Sequence, residues 1–153
     1  FGMKCHAGVD AGTGYVHTIE VTPANVHDVT VAPKLVREDD EVVYGDSGYL
    51  GIEKREEVAN DEHLSSIDYR INLRPGKFPK ISDKAIDWTR YIESRKSSVR
   101  SKVEHIFRII KCQFGYRKVR YRGLKKNENR LYVMFACANL YFLAMAGRKL
   151  QAA

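Results

Sequence analysis

Two acids stand where a carboxylate can reach a phosphate. Asp46 follows the short run EVVYG, residues 41–45, and precedes SGYLG, residues 47–51. A carboxylate at the carboxyl end of a strand, followed by small residues, can face a cleft without steric cover. Gly45, Ser47 and Gly48 let a backbone or a phosphate approach closely. An Asp in this position can equally cap its own turn. Glu104 is the lone acid in VRSKVEHIFRIIK, residues 99–111, whose other charges are mostly basic. Arg100, Glu104, Phe107 and Lys111 recur at helical spacing and so share one face of a helix. Exposed ion contacts between neighbouring turns also account for that spacing, at roughly a few tenths of a kcal/mol each. Val103, Ile106, Phe107 and Ile110 need burial, however, which places Glu104 beside an apolar stripe and near the sheet. Two carboxylates meeting at a sheet edge repel each other unless a cation lies between them. Mg²⁺ takes oxygen ligands, often one or two carboxylates plus substrate phosphates. A pair of such ions activates an attacking oxygen and stabilises a leaving one on phosphorus. The expectation is therefore that Asp46 and Glu104 hold metal while Arg100 and Lys111 hold DNA phosphates.

The charge distribution points the same way. The 153-residue chain has a formal net charge of +7. Residues 111–130 hold eight basic groups and one acid, whereas residues 1–110 hold 16 basic and 18 acidic groups. Basicity confined to one stretch is the usual electrostatic footprint of a nucleic-acid site; a solvated basic surface kept for solubility is the other reading. Within GYRKVRYRG, residues 115–123, Arg117, Lys118, Arg120 and Arg122 interleave with Tyr116 and Tyr121. The cations can bind phosphates while the rings stack on bases, or both rings can pack under the last helix. Three scattered cysteines with no CxxC spacing indicate neither a zinc site nor a disulfide framework, and fit a reducing cytoplasm. The apolar run at 131–146 is shorter than the roughly 20 residues a membrane span needs, and Asn139 interrupts it. A buried helix is expected there.

The elements that must position these residues follow from the pattern. Residues 3–9 and 15–21 read as an antiparallel hairpin around the turn at 11–14, with Pro23 ending the second strand. Asp28 can cap a short helix ending near Glu38. Residues 41–45 and 67–73 read as strands, with a polar helix at about 52–60 between them, and 74–82 reads as a loop. Helix is expected over about 83–114, with a possible break near residues 96–98 and a C-cap at Gly115. A basic loop leads into a last helix over roughly 128–147, apolar nearly all round. Strands first, then helices between and after, define an α/β domain with the sheet in the middle and helices on its faces.

The segments FGMKCHAGVDAGTGYVH, TPANVHD, VVYGDSGYLG and VRSKVEHIFRIIKCQFGYRKVRYRG together resemble, in order and spacing, the DDE-type insertion-sequence transposases of the IS4/IS5-like group. The resemblance runs as far as Gly123, and the last helix also fits that family's ending. It implies an RNase H-like mixed sheet flanked by helices, which cuts and joins DNA with two Mg²⁺ (or Mn²⁺) ions. Asp46 then matches the second catalytic Asp, and Glu104 the catalytic Glu, both metal ligands. The family signature around that Glu is Tyr, two residues, Arg, three residues, Glu, six residues, Lys. Arg100, Glu104 and Lys111 fit it, while Ser97 stands where the family has Tyr. The family's first catalytic Asp lies on a strand upstream of the segment matching residues 1–10, and Asp10 is not promoted to that role. The chain begins at Phe1 inside an apolar pattern without an initiator Met, as a partial catalytic domain lacking its first strand and any end-binding module would. His27 and Asp28 form an HD pair that the family places at a helix start, where Asp28 reads as a cap. The partners implied are transposon-end and target DNA and a second copy of the protein on that DNA. The compartment implied is the prokaryotic cytoplasm, at the nucleoid. The competing expectation is a catalytically inactive remnant that only binds DNA or other transposase subunits, for which an unpaired sheet edge would be suited. A metal-dependent nuclease unrelated to transposition is a third.

Overall fold

The computed structural model describes residues 2–77 and 88–151. The chain divides into two compact units, Phe1–Val26 with Lys102–Ala153, and His27–Ser101.

The first unit is a hairpin packed against helices. Strand β1 (Met3–Val9) pairs antiparallel with β2 (Val16–Pro23), from Met3↔Pro23 to Val9↔Val16, with an irregularity at Gly8/Val9. The turn is fastened by Asp10, whose Oδ1 accepts from the backbone N–H and the hydroxyl of Thr13 at 2.5 and 2.6 Å. Asp10 thus fastens the hairpin turn. Gly14 supplies the positive φ, +82°, that the turn requires. Lys102 donates its ammonium to the carbonyls of Ala11 and Gly12, tying this turn to the helix that carries it. The core consists of Ile19 and Val21 from β2, with Ile106, Ile109, Ile110, Leu131, Phe135 and Ala138 from the helices. Ile106 has no exposed surface. Ile106→Ala is expected to destabilise this unit by about 3 kcal/mol, through lost transfer energy and the cavity left behind. Urea unfolding measures it; a loss well under about 1 kcal/mol would mean that this core is not packed as described.

Helix α5 (Leu124–Gln151) begins earlier than the sequence pattern indicates and lies across β2. Asn139, which interrupts the apolar run, has a structural task. Its Oδ1 accepts from Val16 N–H at 3.0 Å and its Nδ2 donates to Val16 O at 2.8 Å, so one amide satisfies a strand end. The expectation of a helix buried all round is corrected. Leu131, Phe135 and Ala138 are buried, but Val133, Leu140 and Leu143 are exposed, Leu140 by 65%. The hairpin covers one face of a helix, and period-3.6 packing leaves the rest outside. Residues 124–147 are long and apolar enough to cross a membrane, by length and composition.

In the second unit, β3 (Val42–Gly45) pairs parallel with β4 (Asp68–Ile71), in the register Val42↔Asp68 to Gly45↔Ile71. Both strands are shorter than the apolar runs indicate. A parallel pair needs a crossover, and the intervening chain provides it. A 3₁₀ turn at Ile52–Lys54 precedes helices α2 (Glu56–Ala59) and α3 (Glu62–Ser66), in place of the one polar helix expected. Gly51, at φ +87°, and extended Arg55 break the run into separate turns. Ile52, Val58 and Ile71 form the core with Ala32, which follows helix α1 (Asp28–Val31). Asp28 is the first helical residue of α1 and His27 the N-cap, with no side-chain capping bond, so the capping role expected of Asp28 is corrected.

Helix α4 (Trp88–Arg108) runs unbroken through residues 96–98, where a break was possible, and continues into a π-helical turn at Ile109–Gln113. The expected start near residue 83 and the loop beyond residue 77 fall outside the described residues. Gly115 ends the helix in the left-handed conformation, φ +66°, as the sequence indicates. Among the described residues the strands form two two-stranded sheets, one antiparallel and one parallel. The α/β expectation is met in this coarse form.

Candidate functional site: a strand-end carboxylate facing a helix

The parallel register of the second unit decides which side chains meet. Gly45 and Ile71 are paired, and Asn72 N–H donates to Gly45 O at 2.9 Å. Asp46 and Asn72 therefore emerge next to each other at the carboxyl ends of adjacent parallel strands, the usual place for a ligand crevice in α/β folds. A Cβ at Gly45 would lie 2.7 Å from Ile71 Cδ1 and 3.2 Å from the Tyr49 ring, so a larger residue there would have to displace those side chains. Asp46 is the N-cap of a 3₁₀ turn, Ser47–Tyr49, and its Oδ1 accepts from Gly48 N–H at 2.8 Å. The turn-capping role is therefore real, but it occupies one carboxylate oxygen. The other makes no hydrogen bond or ion pair among the described residues. Asp28 is close by: a Cβ on Gly48 would lie 2.9 Å from Asp46 Oδ1 and 3.6 Å from Asp28 Oδ2. Burial pushes the Tyr49 hydroxyl up to about 12, and the charges of Asp28 and Asp46 add to that rise.

The first half of α4 forms the facing wall. Arg90, Glu93, Ser94, Ser97 and Arg100 recur at helical spacing and join Asp46 and Asn72 around a pocket of about 540 Å³. Glu93, only 6% exposed, fastens this wall to the strand end. Its carboxylate accepts from Leu73 N–H at 2.8 Å, Asn72 Nδ2 at 2.9 Å and Lys96 Nζ at 2.8 Å. Burial alone would raise its pKa. The Lys96 ammonium, the Leu73 N–H and the Asn72 amide outweigh burial and hold it below the ordinary carboxylate value. Lys96 also donates to Ile71 O at 3.1 Å. Asn72 Oδ1 is buried without a hydrogen-bond partner among the described residues.

Asp46 and Arg100 are thus brought to one pocket. Glu104 is exposed, one helical turn after Arg100 on the same helix, and falls in the other compact unit. Lys111 departs from the expected α-helical face because it sits in the π turn. It lies over the Phe107 ring, 5.9 Å from its centroid. Such turns recur at functional sites. Among the described residues, no group of three or more His, Cys, Asp or Glu side chains is placed to hold a metal.

In the first unit, Arg117, Lys118, Arg120 and Arg122 are all exposed. Asn127, 1% exposed, braces their loop by donating to Tyr121 O at 2.7 Å and Gly123 O at 2.6 Å. The two tyrosines, ambiguous in sequence, take different roles. Tyr116 packs against the core, with its hydroxyl 3.8 Å from Met3 Sδ. Tyr121 is 49% exposed. The Arg130 guanidinium lies over both rings, at 5.3 and 5.9 Å.

Sequence reasoning passed over Glu93, Asn72, Arg90 and Ser94, and set Asp28 aside as a cap. Glu93 carried a usable signal, since it shares the helical face of Ser97 and Arg100. The proximity of Asp28 to Asp46 carried none, because it arises only from folding.

An α/β unit with an acid at a strand's carboxyl end, walled by arginines and serines, is the kind of site in which phosphate chemistry is done. The chain matches the transposase DDE domain family over residues 1–140 and belongs to that family. No solved structure matches it.

Proposed function

We propose that this chain is the catalytic part of an IS4/IS5-like transposase that cleaves and joins DNA strands with divalent metal ions, built on an RNase H-like sheet. The observation that carries the reading is Asp46, at the end of β3 with one oxygen uncommitted, in a pocket shared with Arg100. Membership in the transposase DDE domain family supports reading that carboxylate as part of a DNA strand-transfer site.

The donor chemistry fits Mg²⁺ or Mn²⁺, which take few carboxylates and complete their shells with substrate oxygens. Asp46 and Glu104 would hold the metal, with a further acid from the family's first catalytic strand. Bound there, divalent ions supply charge neutralisation at the phosphorus and a more acidic attacking hydroxyl. The side chains of this protein bind and orient. The Gly48 N–H fixes the Asp46 carboxylate, Arg100 holds a phosphate beside it, and Lys111 holds the strand. Water, then a DNA 3′-hydroxyl, is the attacking group, with no covalent link to the protein. The direct test is Mn²⁺-dependent nicking and joining of DNA bearing the element's ends, with and without a chelator. Activity that persists in the chelator sinks the metal reading.

The exposed arginines of the 115–123 loop bind DNA backbone, as a homodimer on the element's ends would require of each copy. Arg117→Ala and Arg120→Ala are each expected to weaken duplex binding and to reduce the slope of log K against log salt by about 0.9. A slope equal to wild type in both variants would remove this loop from the interface. Binding of this kind is also what an inactive remnant retains, so a chain that binds DNA but never cuts it supports that second reading.

A further inference from the structure

The basic loop of the first unit carries one residue that phosphate contacts leave without a task. Tyr121 sits amid residues 117–126, which hold six exposed cations and no acid. It is 49% exposed, although a large aromatic side chain gains by burial. Its place is nevertheless fixed. Asn127 accepts through Oδ1 from Tyr121 N–H at 3.3 Å and donates through Nδ2 to Tyr121 O at 2.7 Å, so one buried amide pins the backbone on both sides of the ring. The same Nδ2 donates to Gly123 O, and Gly123, at φ +85°, turns the chain into α5. Arg130, three residues after Asn127 and so on the same side of α5, lies 5.9 Å from the Tyr121 ring centroid and 5.3 Å from that of Tyr116. Its Nη1 is buried with no hydrogen-bond partner among the described residues, so the guanidinium rests against ring faces. Arg130 thus backs one face of Tyr121, and among the described residues no aromatic ring stacks on the other. A fixed, half-exposed ring inside a run of cations is how proteins hold single strands, with phosphates on the cations and a base on the ring. A duplex offers the ring no base face, because its bases show only their edges in the grooves.

We propose that Tyr121 is a stacking platform for one unpaired base of single-stranded DNA, the exposed cations of its loop holding the neighbouring phosphates. The inference rests on the DNA-binding reading of this loop but requires neither metal nor the Asp46 pocket, so it is tested in chelator. Binding of a dye-labelled oligodeoxythymidylate, and of a duplex of equal length, to the whole chain is followed by fluorescence anisotropy across a salt series. Tyr121→Leu, which has no π face, is expected to lower single-strand affinity on the order of tenfold, as loss of one base stacked on an aromatic ring does. The slope of log K against log salt stays at the wild-type value, because a neutral ring releases no counterions. Arg120→Ala does the reverse and lowers that slope by about 0.7 on single strands. Tyr121→Phe keeps wild-type affinity, and Tyr121→Leu leaves duplex affinity unchanged. The hydrogen bonds of Asn127 reach only the backbone of residue 121, so both variants keep the fold, which an unchanged Tm checks. Tyr121→Trp reads stacking directly: the oligonucleotide quenches the added indole beyond any change seen at Trp88 in the wild type. Wild-type single-strand affinity in Tyr121→Leu overturns the proposal. An equal loss in Tyr121→Phe, an equal loss on duplex, or an unquenched added indole does the same. Duplex binding that falls in Arg117→Ala while Tyr121→Leu holds single strands normally defeats this proposal and leaves the loop's backbone contacts standing. A chain that binds neither form of DNA removes both. One that shows the Tyr121 effect yet never cuts defeats the catalytic reading alone.

Discussion

Under the proposed function, Asp46→Asn and Glu104→Gln are each expected to lower Mn²⁺-dependent strand cleavage at least about a hundredfold, beyond the 10–100-fold typical of changes behind a metal ligand. Both substitutions keep size and hydrogen-bonding capacity while removing charge. At position 46 the amide oxygen can still accept from Gly48 N–H, so the turn that the Asp caps survives. What is lost is the anionic oxygen facing the pocket. At position 104 the side chain is exposed, and the helix keeps Ile106, Ile109 and Ile110 in the core. Neither variant is therefore expected to change Tm by more than a few degrees. Mn²⁺ binding, followed by electron paramagnetic resonance, should weaken in both. Normal cleavage by either variant would remove that residue from the site. Lost cleavage with lost folding would instead mean that the residue's role is structural.

The second large effect concerns stability. Glu93→Ala is expected to cost about 3 kcal/mol, because it takes the carboxylate from the half-buried Lys96 ammonium, which keeps only Ile71 O, and leaves the Leu73 N–H without its acceptor. For a chain of this length that corresponds to a fall in Tm on the order of 10 °C. Glu93→Gln should fall between, since its carbonyl can still accept from Leu73 N–H while its NH₂ group meets the Lys96 ammonium. The pH dependence separates charge from shape. Glu93 is held below its ordinary value of 4.5 in the folded protein, so the unfolded chain binds this proton more readily. Its contribution is fully present above that value and is lost as pH falls through the lower folded-state pKa. Glu93→Gln removes that part of the acid dependence, leaving a flatter Tm profile below about pH 5 than the wild type has. A Glu93→Ala protein that melts like wild type at neutral pH would show that the wall is not fastened by this carboxylate.

Local patterns were legible where one residue or one period decides the outcome. The hairpin could be read from β-branched residues bracketing a Gly-rich turn, and the end of the long helix from Gly115, which takes positive φ. Asp46 could be read as standing at a strand end, and Arg100 and Glu104 as lying one helical turn apart. Boundaries were less legible. Both β3 and β4 are shorter than their apolar runs, because only four residues of each find a partner. The polar segment at 52–60 is divided into short turns because Gly51 and Arg55 leave helical geometry. The last helix looked buried because its composition is apolar, yet a two-stranded hairpin covers only one of its faces.

The sequence by itself determined the chemical types available: an acid after a strand, an acid among cations on a helix, and a basic loop set off from an acidic remainder. These depend on residue identity and short-range spacing, which the chain carries openly. Only the tertiary structure decided that Asn72 stands beside Asp46, that Glu93 joins helix to strand, and that Arg90 enters the same pocket as Arg100. Those meetings follow from the register of a parallel strand pair and from the face that α4 turns toward it. Register and facing are set by burial of Ile52, Val58 and Ile71 among residues far apart in the chain, and no local pattern encodes that.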